Sequence, residues 1–170
     1  MYTSQTGRRA RRRASDNGRP LCGAPVILLR MNNIRAKSVC LVRSGTKILL
    51  AEGFDPAKNE RYVMPVGGGI EFMEPADEAA AREMFEEIGV RVRNLHLLGV
   101  SENRFNYNGS DSHEIVFVFA AEFEDEAHYQ TAQFQGMESN DEPFVVRWYD
   151  ESELKAGAMP FYPDGIVAMI

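Results

Sequence analysis

The sequence predicts an α/β fold in which a mixed β-sheet lies between helices. Three observations carry this: short apolar, β-rich segments on both sides of residues 66–91, one long amphipathic helix inside that interval, and a further helical stretch at the C-terminus. Strands interrupted by one helix and closed by another bury their apolar faces best as a sheet with helices packed on it. A chain of 170 residues, 44% hydrophobic and 26% charged, suits one globular domain with a sizeable core.

The elements follow in order. Residues 38–42 and 47–51 bracket Ser44-Gly45-Thr46 as a hairpin, and residues 54–61 form a polar loop. An extended stretch at 61–65 leads into Gly67-Gly68-Gly69, read as a tight turn because glycine accepts positive φ and close approach of a ligand. The helix starts near Pro75, which suits a first helical turn, and ends before Gly89, which suits the left-handed position after a helix. Residues 92–107 read as one or two strands, Asn108-Gly109-Ser110 as a turn, and 115–123 as a buried strand. Residues 124–142 read as a long acidic loop, 144–148 as a strand, 152–155 as a short helix and 165–170 as helical.

The helix carries the chemistry. At about 100° per residue, with Glu83 at zero, Glu86 falls near 300° and Glu87 near 40°, so the three carboxylates share one arc. Ala81, Met84, Phe85 and Ile88 fall at roughly 100–200°, which makes the opposite face the packing face. Glu78 with Arg82 and Arg82 with Glu86 are i,i+4 pairs worth only about a few tenths of a kcal/mol each. That does not offset three crowded like charges. A hard divalent cation does, since Mg²⁺ and Mn²⁺ prefer carboxylate and carbonyl oxygens and share substrate phosphates.

Residues Gly68, Glu74, Arg82, Glu83, Glu86, Glu87 and Gly89, with apolar Met84 and Val90, reproduce the spacing Gly-x5-Glu-x7-Arg-Glu-U-x-Glu-Glu-x-Gly-U, where U is bulky and apolar. At about one in twenty per fixed position, a chance match in a chain this size is on the order of one in a hundred million. The segment resembles the signature of the Nudix hydrolases. That resemblance implies a layered α/β/α sandwich over residues 36–170, although the specific motif is confined to 67–90. It implies hydrolysis of the diphosphate linkage of a nucleoside diphosphate joined to another group, with Mg²⁺ as cofactor and Mn²⁺ as a substitute.

The same resemblance assigns roles. Glu86 and Glu87 are the first metal ligands, a main-chain carbonyl of Gly67 or Gly68 joins them, and Glu83, oriented by Arg82, is a further ligand or the general base. Glu74 is either a ligand through water or mainly structural, and Gly89 is a motif position of structural weight. Family members that recruit the base from a later loop direct attention to Glu142, anchored beside the strand that begins at Pro143, ahead of Glu138; Glu114 ranks below both because it opens a strand. Val66 stands where many relatives place proline, a difference expected to change loop shape and not activity.

Substrate identity is less legible. A small-molecule nucleotide is expected, drawn from nucleotide-sugars, dinucleoside polyphosphates or nucleoside triphosphates. The Ser-Gln-Pro-Trp-Pro-Phe-Pro pattern of NADH-cleaving relatives is absent, and no proline lies between Val90 and Glu142, which weakens an ADP-ribose assignment. Tyr107 loosely resembles a tyrosine associated with dinucleoside polyphosphate cleavage, and Arg104, Phe105 and Tyr107 are candidates for lining the base pocket, since aromatic faces and guanidinium suit stacking and phosphate. A non-catalytic, Nudix-like nucleotide-binding regulatory domain is the alternative, and the intact carboxylate set argues against it.

Charge divides the chain. Residues 1–30 hold seven arginines against Asp16, net +6, and with a total of −6 the remainder carries −12. The composition of the first 20 residues predicts a disordered basic tail, and residues 31–170 the domain. Such a tail invites nucleic acid or a transit function, but the acidic domain repels a polyanion. Residues 21–29 are too short and too interrupted by Pro25 for a convincing signal peptide, no stretch is long enough to span a bilayer, and translation starting at Met31 is a plainer account of the tail. Cys22 and Cys40 make no disulfide framework, so a reducing compartment, the cytoplasm, is expected. His96, His113 and His128 are scattered and expected in surface or packing roles. A second copy of the chain is a further candidate partner, as a homodimer.

Overall fold

The structure is a computed structural model that describes residues 33–138 and 140–170. The expectations for the basic tail, Cys22 and Met31 lie outside the described residues.

The central ribbons are β1 (Ile34–Ser44) and β2 (Lys47–Asp55), joined through Gly45 in a left-handed conformation at φ 59°. They pair only at Arg43↔Ile48 and Ser44↔Lys47 and then diverge. Away from the hairpin, β1 takes β6 (Ser110–Phe123) as a parallel partner and β4 (Val66–Gly69) as an antiparallel one. β5 (Val92–Tyr107) completes that side, antiparallel to β6. β2 takes β3 (Glu60–Met64) and β8 (Pro143–Asp150), and β7 (Gln133–Met137) lies beyond β8. The path β5-β6-β1-β2-β8-β7 is therefore a mixed sheet, as expected.

The strands read as continuous apolar runs because both faces are covered. Successive side chains point to opposite faces, so Val39 and Leu41 join Ile48, Leu50, Val63 and Val118 on one side, while Cys40 and Val42 join Leu49, Ala51, Phe123 and Val146 on the other. The first face is closed by Leu154 of α2 (Glu151–Lys155) and by Ile166 of a 3-10 turn at Ile166–Met169. The second is closed by Ala80, Met84 and Ile88 of α1 (Ala76–Ile88). Two apolar layers around one sheet make the expected α/β/α sandwich.

Helix α1 follows its sequence signals at both ends. Pro75 is the N-cap, at φ −63° and ψ 145°, and Gly89 sits at φ 71° with its N–H donating to the Phe85 carbonyl at 2.9 Å. One face assignment is corrected: Phe85 is 48% exposed, its ring under the Arg91 guanidinium at 4.7 Å. The packing stripe is centred on Ala80, Met84 and Ile88, and Phe85 lies one 100° step from Met84 at its centre, beyond its edge.

Three further readings are corrected. Gly67 to Gly69 do not form a turn: they belong to β4, registered as Val39↔Gly67, Ser38↔Gly68 and Lys37↔Gly69. Residues 124–142 are not one loop, since Asp125 caps a 3-10 turn at Glu126–Gln130 and β7 follows with Phe134 buried in the α1-side core. Residues 54–61 are not all loop, since Phe54 and Asp55 end β2, Glu60 and Arg61 open β3, and only 56–59 form the turn between them. Residues 92–107 form one strand, with irregular register between Arg93 and His96 and between Leu97 and Gly99.

Candidate active site

The segment from β4 to α1 folds around the Arg82 guanidinium. Its Nε donates to Glu74 Oε1 at 2.7 Å and its Nη2 to Glu74 Oε2 at 2.9 Å. Nη2 also reaches the Gly69 carbonyl at 2.9 Å, while Nη1 donates to Glu83 Oε1 at 2.9 Å and Glu86 Oε2 at 2.8 Å. Glu78, expected one turn before it, is not among its hydrogen-bond partners; the curled 70–75 loop brings Glu74 there first, with the Glu71 N–H donating to Glu74 Oε2 at 2.8 Å. These donors hold the Glu74 carboxyl down at about 2, the paired Arg82 contributing most. The Glu74 bonds in turn hold Arg82 above its usual value.

The glycines of β4 are there for close approach. A methyl on Gly68 would overlap the Glu83 carboxylate, which lies against the bare backbone. A methyl on Gly67, at φ 147°, would strike the Ser38 carbonyl and the Val39 Cα across the ladder. Buried Ser38 then ties β1 to the start of the helix through a hydroxyl bond to the Ala76 carbonyl at 2.6 Å. Sequence reasoning singled out these residues but gave them a turn, because glycine is the same signal in both settings.

Glu87 is half-buried, whereas the adjacent Glu86 is exposed. Burial is the main cause that pushes its carboxyl up to about 8, and the charges of Glu138 and Glu83 add to it, against the opposing effects of Lys37 and the Gly67 N–H. Glu138, half-buried after β7, is thus the loop carboxylate in the field of Glu87. Its N–H donates to the Glu142 carbonyl at 2.9 Å, and the Glu142 side chain is exposed. Of the two loop acids, the one that sequence reasoning ranked second is the one whose charge acts on Glu87. Among the described residues no three Asp, Glu, His or Cys side chains converge tightly enough to enclose an ion, because Arg82 draws Glu83 and Glu86 to itself. The oxygen-only donor set fits a hard cation chemically, once Glu86, 57% exposed, swings from Arg82.

A pocket of about 590 Å³ has Lys37, whose charge acts on Glu87, in its wall, while the α1 carboxylates themselves do not line it. Arg104, Phe105 and Tyr107 all line it, so the three residues proposed for substrate contact share one wall. Arg104 is well exposed, and the Tyr107 hydroxyl donates to the Phe54 carbonyl at 3.4 Å. Sequence reasoning missed Arg35 and Lys37, two residues apart on one face of β1, and the opposing Asn103 and Tyr62. Polar residues at alternate positions at the start of an apolar strand were the available signal. Glu114 is buried in this wall and bound to the Arg35 Nη2 at 2.6 Å.

The remaining candidates fall where expected. The His113 ring contacts Glu102 at 3.0 Å at the surface, and His128 packs against Phe123 and Phe134. Burial pushes the Cys40 thiol up to about 12. Among the described residues no helix is long and apolar enough to cross a membrane.

Comparison with known proteins gives the same picture. The family profile described as the NUDIX domain matches residues 33–168. The fold resembles the crystal structure of a MutT NUDIX hydrolase from Burkholderia pseudomallei, with a TM-score of 0.60 and 22% identity over 81% of this chain and 96% of that one. It also resembles a NUDIX hydrolase from Nitrosomonas europaea, with a TM-score of 0.55, 17% identity and coverage of 80% and 84%. A NUDIX-family hydrolase from Clostridium perfringens has a TM-score of 0.55 and 20% identity, with 81% and 93% covered. At these identities the likeness is one of fold, whereas the profile match spans most of the sequence and the acid-bearing helix: the chain belongs to the Nudix hydrolase family.

Proposed function

We propose that the protein hydrolyses the diphosphate linkage of a nucleoside diphosphate joined to another group, with Mg²⁺ as cofactor and Mn²⁺ as substitute. The observation that carries this is the set Glu83, Glu87 and Glu138, like charges acting on one another at α1, linked through Lys37 to a large pocket whose walls bear Arg35, Lys37 and aromatic rings. Mutual repulsion of that kind is relieved by a cation and has no structural benefit of its own. Glu86 and Glu87 are the proposed ligands, with Glu83 and the Gly67 or Gly68 carbonyl beside them. The cation, when bound, offsets phosphate charge and lowers the pKa of an attacking water.

The chain's own groups supply the rest. Arg82 holds Glu83 in place and releases Glu86, while Lys37 neutralises a phosphate at the pocket's inner end. The aromatic wall of Phe105 and Tyr107 receives a planar base. Glu138 is better supported than Glu142 as the loop carboxylate that takes the proton, because Glu138 is half-buried and acts on Glu87. Glu83 is the competing base on the helix.

One observation favours a non-catalytic nucleotide-binding domain: Arg82 occupies Glu83 and Glu86 together. A panel of nucleotide-sugars, dinucleoside polyphosphates and nucleoside triphosphates, assayed for nucleotide and phosphate release with Mg²⁺ and with Mn²⁺, separates the two. Metal-dependent release from at least one class supports hydrolysis; binding without release from any class overturns it.

A further inference from the structure

The pocket wall is ordered along the strands. Residues two apart on a strand share a face about 7 Å apart. Lys37 pairs with Gly69 of β4, next to Gly68, against which the Glu83 carboxylate lies, so it marks the phosphate end. One step back along β1 is Arg35, registered beside Glu114 on parallel β6, and Glu114 is in turn opposite Asn103 on β5. Phe105 lies one step further out in the same direction, and Tyr107 a step beyond that. All six line the one pocket.

Glu114 is 5% exposed and Asn103 7% exposed, unusual for such side chains. Glu114 Oε1 takes the Arg35 bond at 2.6 Å, but among the described residues Oε2 has only the Asn103 Nδ2 at 3.5 Å, the long limit of a hydrogen bond. An ionised carboxylate offers about four lone-pair sites, so this buried group accepts far less than it can. A ligand that brings donors is favoured there. An ionised phosphate brings none. In a nucleoside diphosphate the sugar follows the phosphate and the base follows the sugar, so the moiety reaching Glu114, between Lys37 and the aromatic wall, is the sugar.

We infer that Glu114, with Asn103 beside it, accepts hydrogen bonds from the sugar hydroxyls and makes the pocket select ribonucleotides over 2′-deoxyribonucleotides. This rests on the nucleotide reading above and adds the residues that set its sugar specificity. A hydrogen bond to a charged partner corresponds to about 10- to 100-fold in affinity.

The test is equilibrium binding to the full chain of AMP against dAMP and GMP against dGMP, which needs no turnover. The wild type binds each ribonucleotide about 10- to 100-fold tighter, Glu114→Gln brings both ratios to within about threefold, and Asn103→Ala lowers them partway. Arg35→Ala weakens all four probes together and keeps the ratios. Equal wild-type affinities, no binding of any probe, or a Glu114→Gln loss shared equally by ribo and deoxy forms overturns the inference, the last leaving Glu114 as a support for Arg35. If Glu114→Gln does not fold, the wild-type and Asn103→Ala ratios decide. Ribonucleotide-selective binding without hydrolysis of any substrate keeps the inference and rejects the hydrolase reading; hydrolysis without sugar preference does the reverse.

Discussion

Arg82 and Glu74 meet fork to fork across eight residues, Nε to Oε1 at 2.7 Å and Nη2 to Oε2 at 2.9 Å. A planar guanidinium satisfies that geometry and an ammonium does not. Arg82→Lys is therefore expected to destabilise the fold by about 1–3 kcal/mol and to lower turnover by freeing Glu83. Chemical denaturation beside steady-state kinetics checks both. A variant as stable and active as the wild type would show that the loop keeps its shape without the fork.

Removing the Glu87 charge should have opposite effects on stability and activity. Its folded pKa is raised from the ordinary 4.5 to about 8, so between those values the folded state holds a proton that the unfolded state has lost. Stability of the metal-free protein therefore falls as pH rises through that window, by at most about 1.4 kcal/mol per pH unit, and levels off above it. Glu87→Gln abolishes that slope and lowers turnover by orders of magnitude, and Glu86→Gln shares the loss of turnover. Urea midpoints from pH 5 to 9 in a chelator, with assays at limiting Mg²⁺, are the measurement; an unchanged slope refutes the buried-carboxyl account.

Adjacent glycines should answer differently to one methyl group. At Gly68 it overlaps the Glu83 carboxylate, and at Gly69 it meets open space. Gly68→Ala is expected to lower kcat well over tenfold by displacing Glu83, with a smaller effect from Gly69→Ala. Equal kinetics for the pair would mean that Glu83 moves aside at no cost.

The loop acids give a pH-resolved prediction. Glu138→Gln should reduce kcat more than Glu142→Gln, with little change in the Mg²⁺ concentration for half-maximal rate. Profiles of kcat against pH for both and for Glu83→Gln locate the base. Loss of the acidic limb only in Glu83→Gln would move the base to the helix.

What the sequence made legible was what depends on local pattern. Met84 and Ile88 one turn apart, Gly89 after them and the paired carboxylates on the other side define α1 without reference to anything distant. The apolar runs of β1 and β2 declared strands covered on both faces. Missed features depend on partners far along the chain. β4 looked like a turn because its glycines answer to Ser38 and Val39 across a ladder. β7 was hidden because Phe134 is its one large buried side chain amid Gln133 and Gln135. Arg82 chose Glu74 over Glu78 through a curl of the loop that i,i+4 spacing does not describe.

The parallel ladder between β1 and β6 bears on how the molecule reaches its native state. It joins residues 34–42 to residues 113–121, a separation of 79 positions at the Arg35–Glu114 contact. Loops of that span close slowly, and the entropy is spent before the contacts return it. The acid-bearing helix lies wholly inside the closed loop and gains its tertiary support from both ends of it. Recovery of catalysis on refolding should thus coincide with the last cooperative phase, and a chain stalled before β6 docks has neither a pocket nor a phosphate end.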